Sequence, residues 1–403
     1  ILAQGAGSSP APVAQVPASP PARDWQAREL RAPAMLLRAD RRRNPQQRSS
    51  LHIAGGKYQI DTDKKLGAGC FGEVWRGYDV STREPVAVKF EDLRSQPLQL
   101  EHEASILRQL ATTDQPQGFV RCFHLGQEGR FNCMVVDLLG RSLEDQLNMC
   151  REKKFTAPTA VLLAEQILCR IEYLHSKGIV HRDIKPDNFM SGVGAKVHHI
   201  YMIDFGLAKR YYTDGQHIKY RNQVSFTGTA RYASINAHKG IQQTRRDDLE
   251  AIGHMLLYFL RGSLPWSGMS GKTEEKYRKI CAKKATIPLD ELCAGFPDEF
   301  KTYLRDVRKL GFRERPDYAG LRQLFSTLRC SLELQDHDFE WLEGKRLDIL
   351  IPLKPQGNLV QPDDVPARER PVEGGGGGAE EAEPRAPRRG LVARLLCGGK
   401  PVA

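Results

Sequence analysis

Eight residues in the middle of the chain carry its densest chemistry. His181-Arg-Asp-Ile-Lys-Pro-Asp-Asn188 places Lys185 two residues after Asp183, and Asn188 three residues further on. An aspartate so placed can accept the proton of an attacking hydroxyl. The lysine can neutralise charge on a phosphoryl group in transit, and the asparagine offers a neutral oxygen to magnesium. Asp204-Phe-Gly206 follows, sixteen residues after Asn188 and behind the apolar run Ile200-Tyr-Met-Ile203. Asp204 then supplies a hard anionic oxygen at a strand end.

Three further pieces lie upstream. Leu66-Gly-Ala-Gly-Cys-Phe-Gly-Glu-Val74 reads G-x-G-x-x-G-x-V. Glycines let the backbone approach phosphate oxygens and point its N–H groups at them. Alone, Gly67, Gly69 and Gly72 are equally consistent with a hairpin turn. A dinucleotide-binding loop would open a helix at the third glycine and carry an acid some 20 residues on. Here Glu73-Val-Trp-Arg-Gly-Tyr78 reads as a second strand, and Lys89 stands where the acid should be. Lys89 sits in the apolar run Val86–Phe90, as a snorkelling edge lysine or a phosphate-binding ammonium. Glu103 decides between them. It lies beside Leu100, Ile106, Leu107 and Leu110 at helical spacing, and a carboxylate on an apolar face needs a partner.

These groups need elements to hold them. Short β-like runs, Val86–Phe90 and Asn132–Leu138, flank one helical stretch at about 97–110. After residue 140 the pattern is mainly helical. Ala160–His175 has a strong helical period, and Gly178 is placed to end that helix. The expected fold is α+β, a small β-rich lobe followed by a larger α-helical one.

The five pieces, in this order and spacing, resemble the eukaryotic protein kinase family over about residues 56–345. That resemblance implies a two-lobed kinase fold, an N-lobe over about 56–139 and a C-lobe over about 140–345. It implies ATP with Mg2+ in the cleft. ATP would meet Leu66, Gly67, Ala68, Gly69, Cys70, Phe71, Gly72, Val74, Ala87 and Lys89. Val136 would be the gatekeeper, and Asp137 to Leu139 the hinge that holds adenine. Asp183, Lys185, Lys89 and Glu103 would be catalytic, and Asn188 and Asp204 would hold the metal. Lys185 resembles the serine/threonine branch rather than the tyrosine branch.

Gly228-Thr-Ala-Arg-Tyr-Ala-Ser-Ile-Asn236 occupies the place where most kinases have A-P-E. With Leu138–Asp145, Gln243–Glu250, Gly262–Trp266 and Asp317–Phe325, it is similar to the casein kinase 1 family. The resemblance implies protein substrates with acidic or phosphorylated residues upstream of the target Ser or Thr, and no need for an activation-loop phosphate. Asp248 would buttress the catalytic loop. Arg231 and Lys276 would hold the substrate anion, though Ser267 stands where the family usually has Gln. A carboxylate partner for Arg231 is the competing reading.

Composition fits this. The chain has 403 residues, 40% hydrophobic and 27% charged, ordinary for a soluble protein. The net charge of +11 favours anionic partners. Residues 1–50 hold eight Arg against three acids and are rich in Ala and Pro; residues 348–403 balance eight bases with eight acids and contain five consecutive glycines. Both are expected to be disordered extensions. No stretch is apolar enough to cross a membrane. The basic N-terminal segment has only Trp25 to stack on bases, so no stable nucleic-acid partner is expected. Nine widely spaced cysteines without a C-x-x-C pair suit a reducing compartment, cytoplasmic or nuclear, and a monomer is expected. Organelle targeting by the N-terminal segment stays open. After Ser331 no Ser, Thr or Tyr occurs, so residues 348–403 offer no hydroxyl for autophosphorylation. Loss of Lys89, Asp183 or Asp204 would have indicated a binding-only scaffold; all three are present.

Overall fold

The computed structural model describes residues 51–342, apart from 70, 71, 96 and 112–115. The expected extensions 1–50 and 348–403 lie outside the described residues, as do Cys70 and Phe71 of the glycine loop.

The first lobe is a six-stranded antiparallel sheet. Its strands are β1 (Leu51–Ile53), β2 (Tyr58–Gly69), β3 (Gly72–Asp79), β4 (Pro85–Asp92), β5 (Cys122–Glu128) and β6 (Phe131–Asp137), in the order β1-β2-β3-β4-β6-β5. The sheet therefore begins five residues before the expected start at 56, because Leu51 and Ile53 pair with Ile60 and Tyr58 and bury themselves. Alternation along each strand divides the apolar residues between two faces. Val86, Val88, Phe90, Cys133 and Val135 form a small core with Trp75, Tyr58 and Phe131. Met134 faces the other way and joins the main core, as does α1 (Leu100–Leu110).

Helix α1 starts at Leu100 rather than near 97. The carboxylate of Glu91, at the end of β4, accepts the amides of Gln99 at 2.6 Å and Leu100 at 3.1 Å. An acid that takes up orphan N–H groups defines a helix N-terminus.

The second lobe is mainly helical. Helix α2 (Leu143–Met149) has a Ser142/Asp145 capping box; α3 (Ala157–Ser176) is almost wholly buried. Gly178 follows it with φ +74° and bonds back to the His175 carbonyl, closing the helix as the sequence predicts. Four short strands then form two ladders: β7 (Ile179–Val180) with β10 (Lys209–Arg210), and β8 (Phe189–Ser191) with β9 (Ile200–Met202). They bracket the two motif loops. Next come α4 (Ile235–His238), α5 (Arg245–Arg261), α6 (Thr273–Thr286), α7 (Asp298–Lys309) and α8 (Tyr318–Ser331). The expected α+β, two-lobed organisation is what the structure shows. The seven cysteines among the described residues are all free, and no described helix is long and apolar enough to cross a membrane.

Candidate active site

Strand β4 presents Lys89 between Val74 of β3 and Met134 of β6. Helix α1 brings Glu103 to it, and Lys89 Nζ donates to Glu103 Oε2 at 2.5 Å. The side chains are 20% and 7% exposed. Burial works against the ammonium, but the carboxylates of Glu103 and Asp204 outweigh it and hold Lys89 above its ordinary range. The cation is thus fixed, charged and aimed at the cleft side of the sheet.

Of the glycine loop, Leu66 to Gly69 end β2 and Gly72 and Val74 begin β3, with Gly69 paired to Gly72 and Gly67 to Val74. Leu66 is exposed. Gly72 has φ +149°, and a Cβ there would lie 1.8 Å from the Phe90 carbonyl oxygen. Only glycine fits that approach. Ala87 on β4 pairs with Val136 on β6, and Leu139 packs against the main core. Asp137 spends its carboxylate on Arg121, which donates NH2 at 2.6 Å and its backbone N–H at 2.6 Å. The Asp137 side chain is therefore committed to Arg121.

The 181–188 loop is held from beneath. Asp248, in the first turn of α5, accepts the amides of His181 at 2.7 Å and Arg182 at 2.8 Å and bonds the His175 ring at 3.0 Å. Burial raises a carboxyl, but these partners outweigh it and keep Asp248 below the usual range. Arg182 sits at φ +67°, a strained value for a non-glycine residue, and its side chain donates to the Leu207 carbonyl.

Asp183 is the meeting point. Its Oδ2 accepts from Lys185 Nζ at 2.6 Å, and its Oδ1 accepts from the Thr229 hydroxyl at 2.7 Å. Asn188 Nδ2 donates to the Asp183 carbonyl at 2.9 Å, which leaves the amide oxygen turned elsewhere. Burial lowers the Lys185 pKa, yet Asp183 outweighs it and keeps the ammonium charged. Asp204 follows β9 at φ +63°, and its charge is felt by Lys89, Glu103 and Lys185 alike.

Thr229 was not among the residues singled out by sequence. Its hydroxyl reaches Asp183 because Gly228, at φ +101°, packs against the Arg182 carbonyl, where a Cβ would sit 2.3 Å away.

A β-lobe lysine fixed by a helical glutamate thus faces an aspartate–lysine–asparagine loop and a strand-end aspartate. The protein kinase domain family model matches residues 60–321, well over half of the chain. The chain belongs to the protein kinase family. It is a phosphotransferase by that membership, and such kinases generally use ATP and Mg2+.

The donor set suits that metal. Asp204 and the Asn188 amide are hard oxygen donors, the type magnesium prefers, with phosphates and water completing its shell. Among the described residues, no three His, Cys, Asp or Glu side chains cluster as a self-sufficient metal site.

The two expected anion-site residues are not joined by any hydrogen bond or ring contact. Lys276 is exposed on α6. Arg231 is exposed and lies over the rings of Tyr232 and Tyr258 at 5.7 and 5.4 Å, with a hydrogen bond to the Tyr232 hydroxyl at 3.3 Å. It forms no ion pair among the described residues; the Glu144 carboxylate acts on it by charge alone and accepts from the Tyr258 hydroxyl at 3.2 Å.

Proposed function

We propose that this kinase is a serine/threonine kinase of casein kinase 1 type, moving the γ-phosphoryl of ATP to Ser or Thr of acidic or primed protein substrates. The observation that carries the reading is Asp183, held by Lys185 on one oxygen and Thr229 on the other. That leaves Asp183 oriented toward an acceptor hydroxyl while Lys185 stays beside it as a fixed cation.

In this reading Lys89, locked by Glu103, orients the α- and β-phosphates under the glycine loop. Asn188 and Asp204 hold magnesium, which neutralises phosphate charge when bound. Asp183 orients the hydroxyl, and Lys185 steadies the moving phosphoryl. In-line transfer then needs little beyond positioning and charge neutralisation. The exposed guanidinium of Arg231, free of any ion pair among the described residues, supports a preference for anions in the peptide; Lys276 would assist from α6. The substrates would be proteins met by a monomer in the cytoplasm or nucleus.

The test is transfer from ATP-magnesium to an acidic Ser peptide, beside a matched peptide with phosphoserine three residues upstream, with Asp183→Asn as control. Preference for the primed peptide, abolished in the variant, is expected. Transfer without that preference would remove Arg231 and Lys276 as an anion site. ATP binding without transfer would overturn the catalytic reading.

A further inference from the structure

Helix α6 is a mostly exposed, strongly charged helix, yet one of its lysines has no solvent exposure at all: Lys284. Lysines are almost never fully buried unless paired, and a buried polar head without partners is costly. Lys284 does have partners, and they are all in one place. Its Nζ donates to the carbonyl of Ala233 at 2.6 Å and of Ala230 at 2.9 Å. It also lies 5.2 Å from the centroid of the Trp266 ring.

Those carbonyls bracket Arg231. The two between them are taken as well. Trp266 Nε1 donates to the Arg231 carbonyl at 2.7 Å, and His254 Nδ1 bonds the Tyr232 carbonyl at 2.8 Å. His238 Nε2 adds a second contact to the Ala230 carbonyl at 3.1 Å. Four consecutive carbonyls thus face inward onto side chains from α4, α5, α6 and Trp266. At one end of this stretch Thr229 holds Asp183. At the other, Ser234 caps α4 and donates to Asp247 at 2.6 Å. Among the described residues, only Lys284 touches both ends of the four-residue span.

The arrangement serves either protonation state. Burial, opposed chiefly by the nearby Glu250 carboxylate, pushes the Lys284 ammonium down to about 7. A neutral amine still has two N–H groups, one for each carbonyl.

We propose that Lys284 is a positioning residue for the phosphoacceptor. By tying the carbonyls of Ala230 and Ala233 it fixes the spacing between the Thr229–Asp183 contact and the exposed Arg231 side chain. The loop that receives the peptide is thereby held in shape by a core lysine. The proposal rests on the reading of Asp183 and Arg231 given above, and it adds the residue that sets their separation.

The experiment uses the full chain. KM for ATP, KM for the acidic Ser peptide, kcat and melting temperature are measured for the wild type, Lys284→Met and Lys284→Gln. An inactive wild type would sink the kinase reading itself and is seen before any variant is made. Lys284→Met, close in shape but unable to donate, is expected to raise the peptide KM about tenfold with the ATP KM unchanged. Lys284→Gln, which keeps an amide donor, is expected to recover part of that loss. A lysine that merely stabilised the fold would lower kcat with the folded fraction and leave both KM values alone; that result overturns the proposal. Should neither Lys284 variant fold, Trp266→Phe takes their place: it removes the indole N–H on the Arg231 carbonyl and part of the ring beside Lys284, with the melting temperature reading the cost of the lost volume. A peptide KM within twofold of wild type there would equally overturn it.

Discussion

Thr229 donates its hydroxyl to Asp183 at 2.7 Å across 46 positions of sequence. This bond joins the 181–188 loop to the segment that carries Arg231. The two cannot shift independently. A charge-assisted hydrogen bond of this kind contributes about 1.5–3 kcal/mol. Thr229→Val, which keeps the shape and removes the donor, should lower kcat by roughly ten- to a hundredfold. Nucleotide affinity should not change, because Thr229 touches nothing on the Lys89 side. Steady-state kinetics with parallel ATP-binding titration decide it. An unchanged kcat would mean that Lys185 alone orients Asp183.

The Lys89–Glu103 pair separates stability from catalysis. Removing one member leaves the other as an uncompensated buried charge, at a cost of about 3–5 kcal/mol. Lys89→Met should therefore melt well below the wild type and transfer no phosphate. Adding Glu103→Met should restore much of the stability while activity stays absent. Urea unfolding of the single and double variants gives the comparison. A double variant no more stable than Lys89→Met would show that the pair is not mutually compensating.

The glycines of the loop should not behave alike. Gly72 has φ +149° and stands against the Phe90 backbone, whereas a Cβ on Gly67 meets nothing within 4 Å. Gly72→Ala should destabilise the sheet by about 2–4 kcal/mol. Gly67→Ala should fold as the wild type does. Thermal unfolding of both variants is the check, and equal melting temperatures would contradict the close approach to Phe90.

Much of this site was legible because its pieces are local. Asp183, Lys185 and Asn188 lie within six residues, and the structure brings them together as that spacing suggests. The strands β4 and β6 and the helix ending at Gly178 were visible in apolar periodicity and one glycine. Thr229 was not visible, since an uncharged residue bonded to a distant partner leaves no periodic trace. Lys284 was hidden for a different reason. In Ala282-Lys-Lys-Ala285 both lysines read as a solvated face. Only helical phase distinguishes them: Lys284 shares the inward face with Ile280, four residues earlier, and these two are the buried residues of α6. The start of α1 was misplaced because Glu91, outside the helix, caps it.

Acid should act through buried imidazoles. His199 is 5% exposed, its Nε2 has no hydrogen-bond partner among the described residues, and burial, assisted by His198, pushes it from 6.5 down to about 4. The unfolded chain takes up a proton near 6.5, while the folded chain waits until about 4. Folding stability is therefore unaffected by this group above 6.5 and falls as pH drops through that window. A His199→Gln variant should lose less stability than the wild type between pH 7 and pH 4.5, by on the order of 2 kcal/mol. Urea titrations at the two pH values measure it. Identical losses would place the acid sensitivity elsewhere.

Asp248 grips the consecutive amides of His181 and Arg182 and bonds His175 as well. The strained Arg182 backbone is thus copied from the start of α5, deep in the main core, and owes nothing to the cleft. Such a template is complete once the large lobe has folded, before nucleotide or peptide arrives. Loop and helix should therefore lose their order together when the lobe unfolds, because the carboxylate that sets the Arg182 backbone belongs to the first turn of α5.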